Sequence, residues 1–465
     1  MFQAATYQSR RSRLTQQLQG RGIVLLMGNE ESPINYAGNV YRFRQDSNFL
    51  YFIGLDQAHL AAVIDLDEGV TTLFGNDLSI EDVVWEGPQP TMLQLAARSG
   101  IAKTAPYAAL EEVLVKAKTA GRAIHFTPPY RAENKIRMSQ WLGIAIDNLK
   151  SAASEALIKA IVEQRAHKTE EEVAEMELAL DITFDMHMSV MLQAEPGLME
   201  SDLAGIAEAI AISRGGRPAY GTILSMNGQT LHNPYYTNVL ESGRMILGDF
   251  GAETGRHYAG DITRSFPVDK TFTPRQRDIY NIVLEAETKA IEACGPGIRY
   301  ADVHLLAARV IVEGMKAIGL MKGNTDDAVA QGAHALFFPH GLGHMIGLDV
   351  HDMEDLGEQY VGYGDMQRST QFGTKYLRLA RALEPGFVFT VEPGIYFIPE
   401  LIDLWRSEGK FTDFVNYDKL DDYRQFGGIR IEDNVLITDS GHRVLGPVVP
   451  KTVEEIEEIR SSEPE

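Results

Sequence analysis

The chain has 465 residues, 44% hydrophobic and 23% charged, which is too long for one ordinary core and too apolar for a disordered polymer. Its 65 acidic residues against 43 basic ones leave a net charge of −22, which speaks against nucleic acid and anionic membranes as partners, since both need a basic face. The single cysteine, Cys294, excludes an intrachain disulfide and reads as a buried thiol. The opening segment MFQAATYQSRRSRLTQQL has arginines but no apolar run behind them, so it does not read as a signal peptide. No stretch approaches the ~18 apolar residues of a membrane span. A cytoplasmic location is expected.

Residues 1–160 are expected to form an α/β domain. Short apolar runs from Gly22 to Gly28, Ala61 to Leu66, Thr71 to Gly75 and Ala123 to Pro129 read as strands, and Ala108 to Thr119 reads as a helix. The aromatic segment YRFRQDSNFLYFIGL is punctuated by Arg44, Gln45, Asp46 and Asn48, and reads as an edge strand. A boundary is expected between Ser151 and Lys168, with a second, α+β domain over 161–465. Thr169 opens a helix there, with Glu172 three residues on completing a capping box. A further helix starts at Thr273 and Pro274 and runs to about Cys294, where Gly295, Pro296 and Gly297 stop it. Another covers Ala301 to Gly319.

Strand-like runs lie between and after these helices, and five candidate metal ligands lie in or beside them. They are Asp249 in GDFGAE, Asp261 in AGDITRSF, His344 in HGLGHMIG, Glu392 in TVEPGIY and Glu432 in GIRIEDN. Four carboxylates and one imidazole make a hard, oxygen-rich set that suits a pair of divalent ions better than one structural zinc. Asp249 and Asp261 are twelve positions apart with Gly255 midway. A hairpin centred on Gly255 sets them directly opposite, on one face. Facing carboxylates repel, and a cation between them removes the repulsion. Strand parity puts Glu392 on the face of Val388 and Thr390. It also puts Arg430 and Glu432 on the face opposite Ile429, Ile431, Val435 and Ile437.

His340 and His344 have the spacing of a zinc-binding helix, but Gly341 and Gly343 argue against a helix and for backbone that passes close to a ligand. His351 follows in GLDVHD, and His232 stands in QTLHNPYYTN. No G-x-S-x-G, Walker loop or G-x-G-x-x-G after a strand is present.

The five ligands, in this order and in these motifs, resemble those of the M24 "pita-bread" metallopeptidases, which include methionine aminopeptidase, aminopeptidase P and prolidase. The resemblance covers nearly the whole chain. HGLGHMIGLDVHD, LRLARALEPGFVFTVEPGIYFI and FGGIRIEDNVLITDSG are closest to prolidase and aminopeptidase P, and FRQDSNFLYF resembles their creatinase-like N-terminal domain. The resemblance implies a site for two divalent ions, usually Mn2+, sometimes Co2+ or Zn2+. It implies that Asp261 and Glu432 bridge the ions, that Asp249 completes one shell, and that His344 and Glu392 complete the other. Glu392 is then the general base, His351 and His232 stabilise the tetrahedral intermediate, and His340 lines the substrate pocket. Arg430 supports Glu432 or contacts substrate. Tyr396 and Phe397 help form the proline pocket.

The implied reaction is hydrolysis of the imide bond before proline. Arg378 matches the arginine that grips the C-terminal carboxylate in prolidases, so an Xaa-Pro dipeptidase is favoured over an aminopeptidase for longer peptides. A non-catalytic binding module is a remote alternative, since the ligand set is intact. One departure is Asn233 and Pro234 after His232, where the family usually has a tyrosine directly after the histidine. A homodimer or higher oligomer is expected.

Overall fold

The structure is a computed structural model that describes residues 1–19 and 21–462. The chain divides into two compact units, Met1–Arg165 and Ala166–Glu465.

The first unit is built on a five-stranded sheet in the order Lys103–Ala105, Val70–Phe74, Ala61–Asp65, Ile23–Met27, Ile124–His125. The three middle strands pair antiparallel, and both outer strands pair parallel. Alternate residues Ile23 and Leu25, with Ala61 and Val63, bury one face. They pack with Leu110, Leu114 and Ala117 of the helix Leu110–Thr119 and with Met138 and Leu142 of the helix Ala132–Leu142. The strand expected from Ala123 to Pro129 pairs only at Ile124 and His125. Pro128 and Pro129 have no amide hydrogen to extend it.

The aromatic segment is not an edge strand. Ser47–Phe52 is a helix, and all six of its residues are buried. Asp46 caps it by accepting from the Phe49 amide at 2.8 Å. Two arginines of the helix Ala4–Gln17 close its other end: Arg10 donates to the Tyr51 carbonyl at 3.0 Å and Arg11 to the Phe52 carbonyl at 2.8 Å. Of the polar residues that suggest an edge, Asp46 is the cap of a buried helix, and Asn48 accepts from Arg165 at 2.7 Å.

In the second unit, Thr169 and Glu172 form the capping box of the helix Glu170–Gln193. Thr273 and Gln276 do the same for Pro274–Glu292, which is followed by the helix Tyr300–Ala317. Cys294 is buried and donates to the Ala290 carbonyl at 3.2 Å. A further helix, Glu200–Ser213, holds a fully buried glutamate, Glu200, whose carboxylate accepts from Ser225, the Met226 amide and Asn238. Two three-stranded sheets carry the polar face. One runs Thr263–Pro267, Met245–Asp249, Ile223–Ser225, and the other Val388–Val391, Asp433–Thr438, Gly441–Val444. A bridge between Thr263 and Glu432 joins them. Among the described residues no helix is long and apolar enough to cross a membrane.

Candidate metal centre

Asp249 closes its strand opposite Thr263, not opposite Asp261. The hairpin turns about Arg256: the His257 amide donates to the Thr254 carbonyl at 2.9 Å, and His257, not Gly255, takes the left-handed conformation at φ 67°. This is a three-residue hairpin loop, which shifts the centre by one residue from Gly255. Asp261 then lies across from Gly251, two residues down the ladder from Thr263, so the two aspartates are diagonal neighbours. They still share a face, because the shift along the partner strand is two residues. Tyr220 confirms the closeness. Its hydroxyl lies 2.7 Å from Asp249 Oδ1 and also contacts Asp261 Oδ1. One phenolic proton cannot satisfy two carboxylates, so the trio calls for another positive centre.

The helix Glu170–Gln193 braces this hairpin. His187 Nε2 lies 3.0 Å from both the Phe250 and the Ile262 carbonyls, each next to an aspartate. Both partners are acceptors, so Nε2 carries the proton. Burial pushes this imidazole down to about 3, so it is neutral. Thr183, one turn earlier, accepts from the Ala252 amide at 3.0 Å.

The remaining ligands arrive from the C-terminal strands and one loop. Glu432 follows the strand Gly428–Arg430; its amide donates to the Thr263 carbonyl at 3.1 Å and its Oε2 accepts from the Thr263 hydroxyl at 2.6 Å. Glu432 Oε1 is buried with no hydrogen-bond partner among the described residues. Glu392 leaves the strand Val388–Val391. His340 and His344 are in a loop, not a helix. Gly341 and Gly343 line the cavity, as expected of backbone close to a ligand, and they also pass close to protein backbone. A Cβ on Gly343 would meet the Thr390 carbonyl oxygen at 2.0 Å, and one on Gly341 would meet Leu377 Cα at 2.7 Å.

His344 Nδ1 lies 3.0 Å from the Met345 carbonyl, so it holds the proton and leaves the Nε2 lone pair for the cluster. That Nε2 is 3.5 Å from Asp261 Oδ2 and 3.8 Å from Glu392 Oε1. Asp261, His344 and Glu432 each offer a ligand atom within 4.8 Å of the others. Burial raises all four carboxyls above their usual range, and repulsion from neighbouring carboxylates adds to the rise at Asp249, Glu392 and Glu432; Glu392 reaches about 8 and Glu432 goes well above normal. Arg430 opposes the rise at Asp249 and Glu392. Crowded buried carboxylates, one orphaned oxygen and a directed imidazole lone pair fit a divalent-cation site.

All five candidate ligands line one cavity of about 740 Å3, together with Tyr220, His232, His340, His351, Arg378 and Arg430. Arg430 is 2% exposed. It contacts Asp249 Oδ2, reaches the Thr263 hydroxyl at 3.2 Å and donates to the Tyr396 hydroxyl at 2.8 Å. Tyr396, expected in the proline pocket, is completely buried behind it. Its hydroxyl joins Arg430 to His340 Nε2 at 2.8 Å, so it positions those two groups. Phe397 likewise packs away from the cavity, against Phe337, Tyr423 and Phe426.

His351 sits with its ring 4.2 Å from that of His344, and its Nδ1 is 2.7 Å from Glu354. Arg378 Nη1 is 2.9 Å from the same nitrogen and pairs with Glu354. His232 stands at the cavity wall, where partial desolvation and then the charge of Arg430 lower its pKa despite Asp249 nearby. Tyr220 and Glu354 were not anticipated; neither lies in a motif that marks it.

Comparison with known proteins agrees with this geometry. Residues 174–439 match metallopeptidase family M24, and residues 7–125 match the aminopeptidase P N-terminal domain. The chain is 32% identical over 449 residues to human Xaa-Pro dipeptidase, covering 95% of this chain and 89% of that enzyme. It is 32% identical over 453 residues to a probable Xaa-Pro aminopeptidase of Aspergillus fumigatus, covering 95% and 93%. The solved structure of Pseudomonas aeruginosa aminopeptidase PepP superimposes with a TM-score of 0.82 at 28% identity, covering 99% of this chain and 98% of that one. With both domains matched and a buried cluster of Asp261, His344 and Glu432 that could hold a metal ion, the chain belongs to metallopeptidase family M24.

Proposed function

We propose that the protein is an exopeptidase that hydrolyses the Xaa-Pro imide bond, acting as an Xaa-Pro dipeptidase. Asp249, Asp261, His344, Glu392 and Glu432 would hold two divalent ions, Mn2+ in the first place. Bound there, the ions acidify a water to a nucleophile near neutral pH and polarise the scissile carbonyl. The observation that carries the proposal is the convergence of all five side chains on one cavity, with His344 Nε2 3.5 Å from Asp261 and 3.8 Å from Glu392.

The other residues take these roles. Glu392 is the general base and passes the proton to the leaving nitrogen of proline. His351 and His232 stabilise the tetrahedral intermediate. His340 is oriented by Tyr396 and lines the substrate pocket. Arg430 holds Asp249 in place through its Oδ2. Arg378 lines the cavity and grips the C-terminal carboxylate of a dipeptide. A homo-oligomer completes the proposal, and a cytoplasmic location is in keeping with a lone, buried cysteine.

A second reading, an aminopeptidase for longer peptides, is favoured by the pairing of Arg378 with Glu354. Turnover of Ala-Pro and Ala-Pro-Ala with Mn2+, by wild type and Arg378→Ala, separates the two. A dipeptidase prefers Ala-Pro and loses that preference in the variant; equal cleavage of both, unchanged by the substitution, excludes the clamp. Purified protein that takes up no metal and cleaves neither substrate with Mn2+ overturns the proposal.

A further inference from the structure

Beside the proposed clamp lies a charge that the reaction does not use. Glu354 is absent from the cavity lining, while both residues it touches, His351 and Arg378, belong to it. Its Oε2 is 2.7 Å from His351 Nδ1, and its Oε1 pairs with Arg378 Nη1. The His351 hydrogen bond, and then the charge of Arg378, hold its carboxyl down to about 2, so it is ionised at neutral pH.

The backbone is shaped to put it there. Met353, the residue before it, is left-handed at φ 63°, a conformation that L side chains rarely adopt. Asp352 is fixed on the other side. Its carboxylate accepts from Lys168 Nζ at 2.9 Å, with both side chains 1% exposed, and its amide donates to the Met345 carbonyl at 2.8 Å. The Glu354 amide then folds back onto the His351 carbonyl at 3.2 Å. The turn therefore presents a carboxylate to Arg378 from behind the cavity wall.

We propose that Glu354 is a specificity-determining residue: by pairing with Arg378 it offsets the positive charge of the clamp, weakens capture of a free C-terminal carboxylate, and so leaves the cleft open to peptides that continue past proline. This rests on the reading of Arg378 as the carboxylate clamp. A dipeptide brings its own carboxylate to a guanidinium that already holds one, and the two anions repel. A substrate whose proline is capped or extended brings no charge to that point and is indifferent to Glu354. The pair is partly exposed, with side chains 32% and 43% accessible, so solvent screens the effect to several-fold rather than orders of magnitude.

The test uses the full chain loaded with Mn2+ and two probes that differ only in charge, Ala-Pro and Ala-Pro-amide. KM and kcat are measured for wild type, Glu354→Gln, Glu354→Ala, Arg378→Ala and the Glu354→Gln/Arg378→Ala double variant. Removing the carboxylate lowers KM for Ala-Pro by about three- to five-fold and leaves KM for the amide within about two-fold. The gain disappears in the double variant. The same ordering is expected for dissociation constants measured by calorimetry in a Glu392→Gln background, where turnover does not intrude.

An unchanged or raised KM for Ala-Pro in both Glu354 variants overturns the proposal. So does an equal shift for acid and amide, which is the mark of a merely structural role. If Arg378→Ala raises KM for Ala-Pro but Glu354→Gln does not lower it, the clamp stands and the role of Glu354 falls. If Arg378→Ala treats acid and amide alike, the clamp itself falls, and Glu354's role with it.

Discussion

Thr263 and Glu432 pair twice across the seam between the two sheets. The Glu432 amide donates to the Thr263 carbonyl at 3.1 Å, and the Thr263 hydroxyl donates to Glu432 Oε2 at 2.6 Å. The same hydroxyl accepts from Arg430 Nε at 3.2 Å. A threonine that ligates nothing thus ties the last carboxylate to the guanidinium that holds the first.

Thr263→Val removes this hydroxyl at nearly constant shape. Glu432 Oε2 loses its donor and the carboxylate its orientation. Metal affinity is expected to fall by about 10- to 100-fold, in line with loss of a group that orients a ligand. Titration of metal-free protein with Mn2+ by calorimetry checks this. An affinity equal to wild type removes Thr263 from the support of the site.

Gly343→Ala places a methyl 2.0 Å from the Thr390 carbonyl oxygen and 2.6 Å from the Tyr300 hydroxyl. Neither gives way easily, because Tyr300 donates to that same carbonyl at 2.6 Å and the Thr390 amide donates to the His344 carbonyl at 2.9 Å. The loop that carries His344 must shift. Stability is expected to drop by about 1–3 kcal/mol, as for overpacking, with weaker metal binding alongside. Urea unfolding with and without Mn2+ reads both. A variant as stable as wild type in both conditions contradicts the close approach.

Two buried imidazoles outside the site make a pH prediction. His304 and His334 lie 6.3 Å apart, and their ring nitrogens have no hydrogen-bond partner among the described residues. Burial pushes His304 down to about 3 and His334 to about 4. The folded state therefore binds fewer protons than the unfolded one between the ordinary histidine value and those pH values. Stability contributed by each neutral ring is complete above about pH 6.5 and is lost as pH falls toward 3, at about 1.4 kcal/mol per pH unit per residue. His304→Phe keeps a flat ring and removes both nitrogens. It should gain on wild type steadily from pH 6.5 to 5 and show no such drift from pH 7 to 8. Parallel stability curves for the two proteins across pH 5–8 would sink this account.

Chelation and reloading supply the last prediction. Cations that bind only the folded state stabilise it by about 2.7 kcal/mol at 100 times Kd. Thermal unfolding of chelated protein should therefore rise on adding Mn2+, and the rise should vanish in a Glu432→Gln/Asp261→Asn double variant. A metal-induced shift of the same size in that variant would place the cation elsewhere.

The grouping of the site was legible in the sequence because it rests on parity, and parity survives small errors. Asp249 and Asp261 share a face whether the hairpin turns at Gly255 or at Arg256, provided the partner shift is even. The actual register was not legible, because it depends on His257 taking the left-handed conformation beside a glycine that could have done so. The helix Ser47–Phe52 was misread for a related reason. Its polar residues serve as a cap and as a partner for a distant arginine, and only the folded chain reveals those uses. Closeness to Glu392 in sequence suggests a place in the pocket for Tyr396, but the strand Gly394–Tyr396 buries its ring, with the hydroxyl between Arg430 and His340. Tyr220 had no local signature at all; its contact with both aspartates is made across the fold.

The proposed ligands come from segments spread between Asp249 and Glu432, and the bridge from Thr263 to Glu432 closes the seam between their two sheets. This sets an order of events during synthesis. The unit Met1–Arg165 can be finished before any ligand has been translated, since domains generally fold as units from the N-terminus. The catalytic centre cannot assemble until the codon for Glu432 has been read. A ribosome-bound chain that stalls earlier carries carboxylates with no complete cup to hold cations. Loading with metal is therefore a late event, and one that reports a finished protein.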